Sequence, residues 1–197
     1  MSLVGVCISN FKTNHMKTRI LTLATFTLAL TASTFAQTTV VGGEQMFPKK
    51  NIVENAVNSK DHTTLVAAVK AAGLVDALQG DGPFTVFAPV NDAFENLPDG
   101  TVATLLKPEN KATLSKVLTY HVVAGNYDFD AIQKEIKKGG GKAAFKTLSG
   151  NQLMATMNGS HNIQLIDENG NTANISVYDV SQSNGVIHVI DSVVLPK

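Results

Sequence analysis

Apolar and polar positions recur with two different periods along the chain, and the change falls near residue 145. Before it, helical spacing dominates. Asn51 to Asn58 reads as a short helix. Leu65, Val66, Val69 and Ala72 then form one buried stripe, with Asp61 or Thr63 as the N-terminal cap. Gly73 supplies a left-handed stop and Leu74 the hydrophobic contact that follows it. Val75 to Leu78 leads into a glycine-rich turn at 80–83. Phe84 to Ala88 is a short buried strand closed by Pro89, after which Asn91 caps a helical turn carrying Ala93 and Phe94. A second short helix is expected over Thr101–Leu106. Pro108 suits the first turn of a longer one, in which Leu114, Val117, Leu118 and His121 share a face. Ala131 to Lys138 is a further helix, ended by three glycines at 139–141.

From Phe145 onward the segments are short and alternating. They are divided by Ser149-Gly150, Asn158-Gly159, Asn169-Gly170 and Asn184-Gly185. Asn-Gly favours a type I′ hairpin turn, in which both central residues take positive φ. Ala173, Ile175 and Val177 alternate with Asn174, Ser176 and Tyr178, so an antiparallel meander with one buried face is expected. Val186–Ile190 and Val193–Leu195 are apolar on both faces and read as central strands. Helices first and strands later imply an α+β domain over about 47–197, helices on one side of the sheet, preceded by a lead-in at 37–46.

Composition changes this picture mainly at the N-terminus. Of the 16 basic residues, Lys12, Lys17 and Arg19 precede position 37, where no acid occurs. From Met16 a positive start, a short threonine-interrupted apolar run over Ile20–Leu30 and small residues at Thr34 and Ala36 match a secretory signal peptide. Cleavage is expected near Ala36-Gln37. The run falls short of the roughly 20 apolar residues of a membrane span. Residues 1–15 then read as an unstructured upstream extension. The chain left after cleavage has 13 basic groups against 16 acidic ones and no arginine, which argues against a nucleic-acid partner. Cys7 is the single cysteine, so no internal disulfide supports the fold.

Two segments carry more than periodicity. Thr85-Val86-Phe87-Ala88-Pro89-Val90-Asn91-Asp92-Ala93-Phe94 resembles the first signature of fasciclin domains, and Asn184-Gly185-Val186-Ile187-His188-Val189-Ile190-Asp191, running on to Pro196, resembles the second. Between them, Leu118-Thr119-Tyr120-His121-Val122-Val123 is similar to the family's Tyr-His motif. The resemblance implies a wedge-shaped antiparallel or mixed sheet core with a flanking helical layer. It also implies a bacterial secreted or periplasmic member that mediates adhesion without catalysis. Tyr120 and His121 become candidate partner contacts by the same route. Thr85, Phe87, Pro89, Asn91, Phe94, Asn184, Gly185, His188, Asp191 and Pro196 become structural signature positions.

Read from the residues themselves, His121 lies on an apolar stripe and is expected to be a hydrogen-bonded core group. Tyr120, about 100° around the helix, is expected to be partly exposed. His188 and Asp191 are expected to find structural partners. Asp167 to Asn171 reads as a polar hairpin turn, lacking the oxygen spacing of a calcium loop. No cofactor or metal ligand set is indicated. Three functions compete: a binding module for a cell-surface or matrix protein or a polysaccharide, a carrier of a small apolar ligand between helices and sheet, and a secreted hydrolase using the Tyr-His pair or Asp191.

Overall fold

The computed structural model describes residues 38–197; the extension at 1–15, the signal segment 16–36 and Cys7 lie outside the described residues. The lead-in is itself structured. β1 (Thr39–Val41) and β2 (Glu44–Met46) form a hairpin whose two-residue loop, Gly42-Gly43, has positive φ at both positions. Val41 and Met46 are buried against the helices.

α1 (Ile52–Ala56) begins with a capping box between Asn51 and Glu54. α2 (Thr63–Ala72) ends as its sequence predicts: Gly73 is left-handed, its N–H donates to Lys70 O, and Leu74 N–H donates to Val69 O. The residues expected to continue into a turn instead form α3 (Val75–Gln79). α4 (Asn91–Glu95) and α5 (Thr101–Leu105) are short. Pro108 opens a 3-10 turn that leads into α6 (Lys111–Tyr120). α7 (Phe129–Lys138) is capped by Asp128, whose carboxylate accepts from Ala131 N–H.

Seven strands make the main sheet. β3 (Phe84–Pro89), β4 (Val122–Ala124), β5 (Lys142–Lys146), β6 (Gln152–Asn158), β7 (Asn162–Ile166), β8 (Thr172–Gln182) and β9 (Gly185–Ile190) are ordered β4-β3-β9-β8-β7-β6-β5. β3 and β9 run parallel, and the other neighbours are antiparallel. The sheet is therefore mixed and the class α+β, with β5 to β8 the expected meander. Its two edges approach each other. Val123 bridges Thr147, and Leu148 N–H donates to Val122 O at 2.8 Å. This seam nearly closes the sheet and shortens its open edges.

Curling separates two cores. Val86 and Ala88 pack with Leu65, Leu114, Leu118 and Ile187 beneath the helices. Phe87, on the other face of β3, packs with Phe145, Leu153, Ile163, Leu165 and Ile190. Ile132 and Ile136 of α7 are buried in this second cluster, so helices cover both faces and not one.

Three local expectations fail for physical reasons. Among the described residues Asp179 alone combines a side chain with positive φ, so none of the Asn-Gly pairs forms a type I′ turn. In each pair the positive φ falls on the glycine alone. Val193–Leu195 is buried or half-buried but is no strand, because its backbone donors go to side chains: Val194 N–H to His121 Nε2 and Leu195 N–H to Asp167 Oδ2. The alternation in β8 breaks beyond Ile175 at bulges, one of which holds Asp179 at φ 56°.

Candidate functional site

The two signature segments contain β3 and β9, the second and third strands of the seven, paired in register from Phe84↔Gly185 to Pro89↔Ile190. Glycine is required at 185 by close approach: a Cβ there would sit 2.0 Å from Phe84 O. Thr85 is fully buried. Its hydroxyl donates to Gly125 O at 2.8 Å and accepts from Tyr127 N–H at 2.9 Å, tying β3 to the segment after β4. Phe87 stacks on His188 with centroids 5.7 Å apart. Pro89 closes the strand, and Val90 N–H donates to Ile190 O beyond it. Phe94 is half-buried beside Ala93 and Val193.

Asn91 does not cap its own helix, whose N-cap is Val90. It caps α2 instead. Its Oδ1 accepts from Thr64 N–H at 3.0 Å and from the Thr63 hydroxyl at 3.1 Å, while its Nδ2 donates to Lys60 O. Neither Asp61 nor Thr63 supplies a side-chain cap there. Asn184 reaches further along the chain. Its Oδ1 accepts from Ile52 N–H, and its Nδ2 donates to Leu78 O and Gly80 O. Both asparagines satisfy helix-terminal groups that the helices cannot pair themselves.

His121 and His188 have both ring nitrogens engaged by backbone. A carbonyl can only accept and an amide N–H can only donate, so the partners dictate each tautomer. His121 Nδ1–H donates to Val117 O at 2.8 Å, and its Nε2 accepts from Val194 N–H at 3.3 Å. His188 Nε2–H donates to Tyr127 O at 2.8 Å, and its Nδ1 accepts from Asp179 N–H at 3.4 Å. Burial pulls His121 down to about 4, against the opposing pull of the Val117 carbonyl. Burial also lowers His188 and His62. All three are neutral at pH 7. Asp191 is exposed and accepts from Asn174 N–H and Nδ2–H. Pro196 is half-buried in the C-terminal stretch.

Tyr120 corrects an expectation. It is fully buried in the inner cluster, where its hydroxyl donates to Gln152 O at 2.8 Å and burial raises its pKa to about 12. α6 is wedged between clusters, so Leu114 and Leu118 face the helical layer while Tyr120 faces the sheet interior. His121 is 3% exposed. A direct partner contact through either side chain therefore has no exposed ring to act through.

Several organising residues were missed in the sequence. Asp167 is buried, and its carboxylate accepts from Asn169 N–H, Asn171 N–H, Asn171 Nδ2–H and Leu195 N–H. It thus shapes the β7–β8 turn and anchors the C-terminal stretch. Asn55, also buried, pairs with the Phe47 backbone and with Gln182. Asp179 accepts from Phe129 N–H at the start of α7. The one sequence signal for all three was an acid or amide inside an apolar or turn pattern.

Several concave features accompany this framework among the described residues, two of which bear on function. An apolar cavity of about 80 Å3 lies between the helices and the sheet, lined by Ile52, Val66, Val69, Leu78, Leu118 and Val122. A mixed groove of about 850 Å3 opens beside the seam between β4 and β5.

Comparison with known proteins matches this framework. The family model of the Fasciclin domain covers residues 60–196. Protein sll1483 of Synechocystis sp. is 49% identical over 147 residues, which are 74% of this chain and 73% of that protein. Immunogenic protein MPB70 of Mycobacterium bovis is 35% identical over 146 residues, 72% of this chain and 66% of that protein. A solved FAS1 domain pair from the insect cell adhesion molecule Fasciclin I matches with a TM-score of 0.65 at 18% identity, a likeness of fold. That match covers 74% of this chain and 51% of the pair, so the chain spans about half of that structure.

Proposed function

The chain belongs to the fasciclin domain family, and on that premise we propose that it is an exported, non-catalytic binding module for a cell-surface or matrix protein or a polysaccharide. The observation that carries the reading is the commitment of His121 and His188: each has both ring nitrogens bonded to backbone and is held neutral inside the fold. A general base needs a free nitrogen within reach of a substrate atom. Asp191 is bonded to Asn174 and shares no hydrogen bond with either histidine. The signature residues thus build the scaffold and leave recognition to the surface. Fasciclin I, source of the solved pair, is a cell adhesion molecule, which agrees with the reading.

Export rests on the signal-like segment at 16–36. No helix among the described residues is long and apolar enough to cross a membrane. The carrier reading needs a cavity of roughly 300 Å3 or more, and the helix–sheet cavity holds about 80 Å3.

The test expresses the full chain in a bacterial host, sequences the N-terminus of the exported product and uses that product to capture partners from envelope fractions. Export with cleavage near Ala36-Gln37 and saturable retention of a surface component are expected. Retention on the cytoplasmic side, or capture no better than an unrelated exported protein, defeats the reading.

A further inference from the structure

The seam between β4 and β5 is closed at one end only. Leu148 N–H meets Val122 O, and Val123 faces Thr147. Beyond that point the strands diverge, and the groove of about 850 Å3 lies between them.

Backbone parity shows what lines it. Thr147 N–H points to β6, where it bonds Asn151 O, so Phe145 and Ala143 also point that way. The N–H and C=O groups of Lys146 and Ala144 then point into the groove. On the facing strand, Gly125 N–H donates to Pro83 O, so Ala124 turns its own N–H and C=O outward. The bridge itself takes up Ala124 N–H and Lys146 C=O, so the groove-facing positions left beyond it are Lys146 N–H and both backbone groups of Ala144 on the β5 edge, a geometry suited to an added strand.

The side chains narrow the occupant. Lys142 and Lys146 are exposed on the outer face of β5 with the small Ala144 between them, and Lys138 stands on the same rim. Glu135 is the acid of the groove wall and already contacts Lys138 at 3.4 Å. Among the described residues neither Lys142 nor Lys146 has an acidic partner. On the inner face, Phe145 lies edge-on to Tyr127 at 5.1 Å. A strand beside β5 would set alternate residues opposite the two lysines and the others toward this aromatic pair.

Resting on the binding-module reading, we propose that this open seam is a strand-addition site for an extended segment of a partner protein in which acidic and apolar residues alternate. Two other occupants fail on charge. A second copy of β5 would bring lysines opposite lysines, which is destabilising. The chain's own first 36 residues contain no acid.

The probe is a peptide of roughly eight residues alternating Glu and Val, long enough to span a strand. Its controls are a Lys-Val counterpart and a Glu-Val peptide N-methylated along one edge. Binding to the purified protein is followed by amide exchange. The Glu-Val peptide is expected to slow exchange at Ala144 and Lys146 by about tenfold or more, and N-methylation is expected to abolish binding. Lys142→Glu with Lys146→Glu, both at exposed positions, should weaken binding by about tenfold and favour the Lys-Val peptide. Ala144→Pro, which removes one groove-facing donor, should weaken it as well. Equal binding of the two charge types, binding without protection of these amides, or response only to an acidic polysaccharide such as alginate overturns the proposal. An envelope partner retained equally by the double-lysine variant overturns the seam site while the binding-module reading stands. Absence of any envelope partner defeats that reading, and the peptide result still decides the seam.

Discussion

Strands β5 to β8 and the pair β3–β9 belong to one sheet but carry different interiors. In the meander the inner positions are almost wholly apolar: Ala143, Phe145, Leu153, Ala155, Ile163, Leu165 and Ala173 are all buried. Alternation and turn glycines suffice there. In the β3–β9 pair, Thr85 and His188 are buried as well as Phe87 and Ile190, and each bonds backbone from another part of the chain. This pair is a junction: it receives the turn after β4 through Thr85, the β8 bulge through His188, and the helices through Asn91 and Asn184. A buried polar group is costly unless paired, so such a junction tolerates few alternatives, whereas an apolar meander tolerates many. The fasciclin signatures coincide with the junction.

This contrast can be broken experimentally. The largest effect is expected at Gly185. Gly185→Ala places a methyl against Phe84 O and should cost about 4 kcal/mol or prevent folding. Gly159→Ala, in a meander turn with open space around it, should cost only about 1 kcal/mol for its positive φ. Comparable denaturation midpoints for the two variants would remove the distinction.

Acid should come next. In the unfolded chain histidine titrates near 6.5, while folded His121 titrates at about 4. Between those values the unfolded chain binds more protons. The stabilisation is therefore complete above about pH 6.5 and is lost as pH falls toward 4, by about 3 kcal/mol for His121 alone. His188 and His62 act in the same direction. Melting temperature should fall steadily from pH 7 to 4.5; a flat profile would mean that the histidines are not held neutral.

His188→Leu keeps the bulk against Phe87 but leaves Tyr127 O and Asp179 N–H without partners. A loss of about 2–3 kcal/mol is expected by urea unfolding. No loss of stability would count against a structural role for this histidine. Asn91→Ala should have the smallest effect, about 1–2 kcal/mol, because it removes the cap of α2. Amide exchange should quicken first in residues 63–66 and leave β6 and β7 unchanged.

Helical stripes, the Gly73 stop, the short strand before Pro89 and the meander were legible in the sequence, and so was the family. Those features are local: periodicity, glycine conformation and alternation act over a few residues. The candidate site was less legible. His121 was read correctly as core, but Tyr120 was placed at the surface, since helical geometry cannot say that α6 is packed on more than one side.

What the sequence determined by itself was thus the inventory of elements and the positions where polar residues interrupt apolar patterns. Only the tertiary structure decided what those residues bond. Asn91 reaches 27 residues back to Thr64, Asn184 reaches 106 residues back to Leu78, and the seam joins Val122 to Leu148. A buried donor or acceptor left unpaired is costly, but that cost names no partner. The partner is chosen when the sheet curls and brings distant backbone within 3 Å or so of each side chain.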